Sequence, residues 1–213
     1  MTALTASFAE VYSAALNGEA CELVGFRGAV PLPISTWLRT ADASDRALLA
    51  HCEGPTLDVG CGPGRMAEQL TRSGRPALGI DLVPEAVFQA RERGVAALLR
   101  DVFDQVPGEG RWSSVLLADG NIGIGGDPRR LLARAADLLA PGGRVVVDLA
   151  PPGSGAETGY FRLRTARAES ALFVWSSLAA DRIGMICAGS GLSVDVVDSH
   201  QDRWYAVLVK DPS

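Results

Sequence analysis

Between Leu57 and Gly64 an apolar run ends in an acid and three alternating glycines, Leu57-Asp58-Val59-Gly60-Cys61-Gly62-Pro63-Gly64. That pattern suits a strand that turns sharply into a helix. Glycine takes left-handed backbone angles without a Cβ penalty, and three of them leave bare backbone where a polar ligand can rest against a helix N-terminus. The spacing is G-x-G-x-G, with Arg65 standing where a dinucleotide fingerprint has its third glycine, so a nucleotide without a pyrophosphate fits better. Asp81 follows about twenty residues after the turn, closing the apolar run Ala77-Leu78-Gly79-Ile80, where a carboxylate accepts both hydroxyls of a ribose.

From Thr56 onward short apolar runs alternate with helical periodicity. Strands are expected at 56–60, 76–81, 96–101, 114–118 and 144–149, with helices at 64–73, 84–93 and 127–140. Such alternation predicts a parallel sheet with right-handed crossovers and helices on both faces. Asp127 before Pro128 reads as a cap followed by a first-turn proline. A Pro/Gly-rich segment, 151–159, precedes an expected strand at 160–167 and a helix at 179–188. The last two runs, 193–199 and 204–210, lie too close for a parallel return and form an antiparallel hairpin. Ahead of this core, apolar residues at helical period mark a helix over 5–16, residues 21–34 read as a loop or small hairpin, and a second helix spans 42–52. The organisation expected is one domain, with residues 1–53 as a small N-terminal helical and hairpin cap on a core of residues 54–213.

These motifs together resemble the class I S-adenosylmethionine-dependent methyltransferases, over roughly residues 54–210. The resemblance implies a Rossmann-like α/β fold, a mostly parallel seven-stranded sheet with its last strand inserted beside the fifth. It implies S-adenosylmethionine as cofactor, with Asp58, Gly60, Cys61, Gly62 and Gly64 forming the loop at its methionine end. Asp81 and Leu82 would meet the ribose and its surroundings, Asp101 the adenine amine, and Val102, with Phe103 beside it, an apolar wall for the base. Ala118 and Asp119 would close the cofactor site after the fourth strand. The run Asp119-Gly120-Asn121 is similar to a bacterial small-molecule subgroup, in which Asp119 and Asn121 position the methionine moiety or the acceptor. A turn or cap role is the alternative for each aspartate, and a loop that simply doubles back is the alternative for the glycines of 120–126.

Composition narrows the acceptor. A net charge of −5 and the absence of an Asn-Pro-Pro-aromatic run disfavour nucleic acid, since phosphate binding needs a concentrated basic face. Cys21, Cys52, Cys61 and Cys187 are scattered and neither histidine sits at ligand spacing, so no disulfide framework and no metal are expected. No run reads as a signal peptide or a membrane span, and a reducing cytoplasm is the expected setting. The partner expected is a small molecule, acting on a monomer or homodimer.

Methyl transfer from a sulfonium is an in-line displacement that rests on alignment in a dry site, so a base is optional. For a hydroxyl acceptor, the favoured class, Asp119 and His200 are the candidate bases, with His51 and Tyr160 behind them. Tyr12, Trp37, Asn121 and Tyr160 are the candidate substrate contacts, because the N-terminal helix and the segment after residue 150 lie outside the cofactor core. A non-catalytic cofactor-binding sensor, or a nicotinamide-dependent oxidoreductase, are the rival readings.

Overall fold

The computed structural model describes residues 4–211. In chain order the elements are β1 (Leu4–Ala6), α1 (Phe8–Leu16), β2 (Glu22–Gly25), β3 (Gly28–Pro31), α2 (Ile34–Leu38), α3 (Ala43–Leu49), β4 (Thr56–Val59), α4 (Arg65–Arg72), β5 (Ala77–Asp81), α5 (Pro84–Glu92) and β6 (Ala96–Leu99). Then follow β7 (Trp112–Leu117), a 3-10 segment (Asn121–Gly126), α6 (Pro128–Leu138), β8 (Leu139–Leu149), β9 (Ala156–Arg164), β10 (Ala168–Ser170), β11 (Phe173–Leu178), α7 (Ile183–Cys187), β12 (Leu192–His200) and β13 (Arg203–Lys210).

A seven-stranded sheet in the order β12-β13-β8-β7-β4-β5-β6 carries the core. Its five strands from β6 to β8 are parallel, and β13 and β12 pair antiparallel beside β8. The expected sheet and its closing hairpin are therefore present. Strand alternation sorts the side chains onto two faces. Val115, Leu117, Val145 and Val147 join Leu131, Leu132 and Ala135 of α6 and Ile183 of α7. Leu116, Val146 and Tyr205 instead meet Leu48 and Leu49 of α3 with Met66 and Leu70 of α4. The chain lays β5 and β6 on one side of β4, then returns to place β7 on the other, which makes the carboxyl ends of β4 and β7 the point where strand order reverses. A crevice opens at such a point in open α/β sheets.

Local signals explain the helix ends. Ser7 caps α1 reciprocally with Glu10, and Asp42 does the same for α3 with Asp45. The Asp127 carboxylate accepts the backbone N–H groups of Arg129 and Arg130 at 3.1 Å each. Replacing such a cap typically costs about 1 kcal/mol.

The N-terminal region holds three helices and a hairpin, and that hairpin belongs to a larger layer. Residues 22–31 form a hairpin, and it joins β9, β10, β11 and β1 in a second, six-stranded sheet, whose path runs β1-β10-β9-β2-β3 with β11 on the other edge of β9. Gly25, Gly28 and Pro31 break the hydrophobic alternation of β2 and β3, and β9, the second partner of β2, lies more than a hundred residues away, so pairing rather than local pattern makes these strands. α1 packs Val11 and Ala15 against Leu163 of this sheet. Three further expectations shift. The strand expected at 160–167 begins at Ala156, the helix expected at 179–188 is a 3-10 turn over Ala180–Arg182 followed by α7, and the helix expected from Thr5 starts only after Ser7.

Candidate active site

All four residues of β4 are buried. At its end the backbone N–H groups of Gly60 and Cys61 both donate to the Ile80 carbonyl, at 2.9 and 3.0 Å, which ties the turn to β5. Gly60, Gly62 and Gly64 hold φ angles of +68°, +52° and +86°. Space as well as angle excludes side chains at two of them. A Cβ on Gly60 would lie 2.7 Å from Asn121 Nδ2, and one on Gly64 would lie 2.9 Å from Ala90 Cβ. Gly62 differs, since a Cβ there would meet only the Tyr12 hydroxyl, at 3.9 Å. The loop is thus pinned at both ends and open at its middle, with Tyr12 of α1 above it.

Two acids frame this cradle. Asp81 accepts the Gly62 N–H on Oδ2 and the Val83 N–H on Oδ1, each at 2.9 Å, so its carboxylate shapes the loop. Burial raises its pKa, and those backbone donors work in the opposite direction. Asp58 is 1% exposed, and its Oδ2 has no hydrogen-bond partner among the described residues. Burial foremost, with the Asp119 charge, pushes its pKa up to about 7 against the pull of Arg65 and the Ala67 N–H. At the next strand end Asp101 accepts the Phe103 N–H at 2.9 Å, Val102 is buried, and the Arg130 guanidinium lies 4.0 Å from the Phe103 ring centre. Leu82 is largely exposed beside Asp81, and Ala118 is buried below the fourth-strand loop.

On the other side of the cradle an ion network takes over. Asp119, in a left-handed conformation at φ +52°, accepts from Arg65 on Oδ2 and from Arg203 on Oδ1. Its backbone N–H donates to Asp148 Oδ2 at 2.6 Å. Arg203 spans Asp148, Asp119 and Asp45, using all three guanidinium nitrogens. Asp45, fully buried, pairs also with Arg65 and Arg39. Burial alone would raise the Asp45 pKa, but Arg65, the Asp42 N–H and Arg39 hold its carboxyl well below the ordinary range. Arg65, the residue that displaces a dinucleotide fingerprint, is therefore buried among acids rather than facing a phosphate. Asp119 and Asp148 are both held by Arg203.

The structure brings some of the expected substrate residues together and leaves others out. Tyr12 of α1 stands over Gly62 and contacts Trp37 of α2 with ring centres 5.9 Å apart. Asn121 turns its amide inward, donating to the carbonyls of Val59 and Gly60 at 2.8 and 2.9 Å, which makes it a clamp on the glycine turn. Tyr160 is 68% exposed on β9. His51 meets the Tyr205 hydroxyl at 3.0 Å, a packing contact on the α3 face. His200 is exposed at the end of β12, and the neighbouring cavity is lined by Gln201–Trp204 without reaching it. Hairpin register explains this, since His200 pairs with Arg203 and it is Arg203 that turns into the acid network. Tyr160 and His200 therefore stand apart from the loop cluster as the structure has it.

That cavity, about 630 Å³, adjoins Asp119 and Gly120 and lies between β11 and the β12–β13 turn. Its floor is closed by β11, which presses on the 3-10 segment so tightly that a Cβ on Gly123 would strike Trp175 and the Ser176 carbonyl, and one on Gly126 would strike Val174. These glycines permit close approach of a second layer, a reason absent from the local pattern. Asp45 and Arg203 are the site residues that motif reasoning misses. Only Asp45 left a signal, the Asp42-Ala43-Ser44-Asp45 capping box, and that pointed to a helix start rather than to a charge cluster.

Asp58 yields a pH prediction. Protonation competes with a cationic ligand for its unpartnered oxygen, so affinity for S-adenosylmethionine rises with pH between 5 and 7, approaching tenfold per unit at the acid end, and Asp58→Asn flattens the profile. Calorimetric titration across that range reads it. The sign for stability is opposite, because a carboxyl whose pKa is raised on folding contributes stability below about pH 4 that is lost as pH climbs through about 7.

A family model described as a methyltransferase domain matches residues 56–143. The ubiquinone biosynthesis O-methyltransferase of Xylella fastidiosa is 32% identical over 101 residues, covering 43% of this chain and 40% of that protein. Trans-aconitate 2-methyltransferase of Mycobacterium tuberculosis is 33% identical over 95 residues, covering 44% of this chain and 36% of that protein. The chain thus spans about two-fifths of the curated relatives it matches. Among solved structures, a SAM-dependent methyltransferase from Bacteroides fragilis, in complex with S-adenosyl-L-homocysteine, superposes with a TM-score of 0.82 at 20% identity over 99% of this chain and 98% of that one. The CcbJ methyltransferase of Streptomyces caelestis follows at 0.62 and 17% identity, over 82% and 92%. In agreement with the strand order, the glycine turn and the acids at successive strand ends, residues 56–143 match a methyltransferase domain, and the chain as a whole shares the fold of solved S-adenosylmethionine-dependent methyltransferases.

Proposed function

We propose that this chain transfers the methyl group of S-adenosylmethionine to an oxygen of a small-molecule acceptor. One observation carries the reading: a bare glycine cradle over the buried Asp58 is joined, through the Arg65–Asp119 pair, to a cavity of about 630 Å³ that Asp119 lines. The residues present fit the cofactor. Asp58 Oδ2 supplies an acceptor for an ammonium, Gly62 leaves its backbone uncovered, and Asp81 keeps free lone pairs for ribose hydroxyls after serving two N–H groups. Asp101 and Val102 close the adenine end. When bound, S-adenosylmethionine supplies an activated methyl group.

The chain's own contribution is alignment and exclusion of water. Tyr12, in contact with Trp37, covers the cradle, Asn121 fixes the turn, and β11 seals the acceptor loop from behind. Asp119, with one oxygen on Arg65 and the other on Arg203, acts as a positioning residue that holds the fourth-strand loop between cofactor and acceptor. Oxygen is favoured because no amino-methylation signature is present and one curated relative is by name an O-methyltransferase. The net charge of −5 supports a small acceptor over nucleic acid. No helix among the described residues is long and apolar enough to cross a membrane.

Calorimetric titration with S-adenosylmethionine and S-adenosylhomocysteine tests the cofactor assignment, followed by the same titration on Asp81→Ala. Deleting a charged hydrogen-bond acceptor costs about 1–3 kcal/mol, so affinity should fall roughly 5- to 150-fold. Wild-type affinity in the variant would remove Asp81 from the site. Binding without methyl transfer to a panel of hydroxyl, amine and carboxylate acceptors would favour the sensor reading instead.

A further inference from the structure

The cavity next to Asp119 has an acidic lining. Four carboxylates line it, those of Asp42, Asp119, Asp148 and Asp202, and its one basic side chain is Arg203. Four of the five N–H groups of that guanidinium are engaged, Nε and Nη2 with Asp148, Nη2 also with Asp119, and Nη1 with Asp45. An anionic acceptor entering here would meet carboxylates and no unengaged cation. Asp202 is the reverse case, an exposed carboxylate at the hairpin turn that makes no hydrogen bond or ion pair among the described residues.

The walls add a second, independent feature. Trp175 on β11 and Trp204 on β13 both line the cavity and are only partly buried; the Trp175 nitrogen edge lies against Gly123, and the Trp204 indole nitrogen has no hydrogen-bond partner among the described residues. Indole faces attract cations and planar or ring-shaped groups, and the indole N–H is a donor suited to a hydroxyl. Ser44 and Ser177 bring two more hydroxyls to the same space. Arginines already answer three of the four carboxylates, Arg39 that of Asp42, Arg65 and Arg203 that of Asp119, and Arg203 that of Asp148. This leaves Asp202 as the unpaired acid and, with the indole of Trp204, suits the cavity to a hydroxylated amine.

Resting on the methyl-transfer reading above, we infer that the acceptor is a small hydroxyl compound bearing a protonated amino group, with Asp202 as the recognition residue for that group and Trp175 and Trp204 as the platform for its ring or chain. Carboxylated acceptors are disfavoured by the same acid.

Matched pairs test this on the full chain saturated with S-adenosylhomocysteine. Tyramine is compared with 4-hydroxyphenylacetate, and glucosamine with glucuronate, by titration followed on the indole N–H resonances, assigned with Trp175→Phe and Trp204→Phe. Expected is a shift of at least one of these resonances by an amine, with affinity at least tenfold above its carboxylate twin, and at least a fivefold loss of that affinity in Asp202→Asn. Equal or tighter binding of the carboxylates, an amine preference untouched by Asp202→Asn, or amines that move neither resonance would overturn it. The two readings fail separately. A chain that does not bind S-adenosylhomocysteine, titrated without it, can still show the amine preference, which would sink only methyl transfer; one that binds it without the preference sinks only this inference.

Discussion

Gly60→Val is expected to lose S-adenosylhomocysteine affinity by at least about a hundredfold, the largest effect on binding of any single change in the cradle. Two penalties coincide at this position. A β-branched residue at φ +68° carries backbone strain of about 1–3 kcal/mol. Its Cβ would also stand 2.7 Å from Asn121 Nδ2 and 3.1 Å from Ile124 Cδ1. Asn121 cannot retreat freely, since its amide holds the carbonyls of Val59 and Gly60. The turn must open, and the Gly62 N–H leaves Asp81. A hundredfold loss corresponds to about 2.7 kcal/mol, within what strain and the lost contacts supply together. Calorimetry with S-adenosylhomocysteine measures it, and circular dichroism should show the sheet intact. An unchanged dissociation constant would mean that the ligand does not rest on this turn. Gly62→Ala serves as the internal contrast. It pays the left-handed penalty but meets nothing nearer than the Tyr12 hydroxyl, so an intact fold with weakened binding is expected from direct obstruction of the open middle of the loop.

The contrast between these glycines shows how far sequence carries. Alternation of apolar runs, the glycine turn and Asp81 are local signals, and they mark strand ends joined by right-handed βαβ crossovers. They mark the parallel strands and the closing hairpin, while the order of the seven strands follows from the family resemblance and not from periodicity. Partners distant in sequence were not legible. β2 and β3 carry glycines and a proline that read as a loop or a small hairpin, and what stays hidden is that β2 pairs with β9, which makes the hairpin part of an entire second sheet. The glycines of 120–126 look like freedom for a mobile loop, whereas Gly123 and Gly126 are small because β11 lies against them. Arg203 has no motif at all. It follows a hairpin turn where charged residues are commonplace, and only the pairing of β13 with β8 sets it beside Asp148. The same limit explains Asn121, Tyr160 and His200. Residue type suggested chemistry for each, but side-chain direction decides it, and that direction comes from tertiary packing.

Asp45→Leu is expected to be the most destabilising of the polar substitutions. Its carboxylate, fully buried, is shared by Arg65, Arg39 and Arg203, and Arg65 is itself only 3% exposed. Removing one member of a buried pair strands a charge and costs about 3–5 kcal/mol. At roughly 2–4 °C per kcal/mol for a chain of this size, the melting temperature should fall by about 6–20 °C. Because Arg65 and Arg203 also hold Asp119, loosening them frees the loop between cradle and cavity, so cofactor affinity should weaken together with stability. Desolvation of the pair works in the other direction. Asp45→Leu combined with Arg65→Met exchanges charge for apolar volume and should recover most of the lost stability while leaving Asp119 with Arg203 alone, which separates the energetic role of the pair from its positioning role. The sign with pH follows from a carboxyl held below its ordinary range: its contribution is complete above about pH 4 and disappears as pH falls through the folded-state value. Melting curves of wild type and Asp45→Leu should accordingly lie furthest apart near neutrality and converge in acid, and a gap that stayed constant down to pH 2 would show that Asp45 stabilises the fold by packing and not by charge.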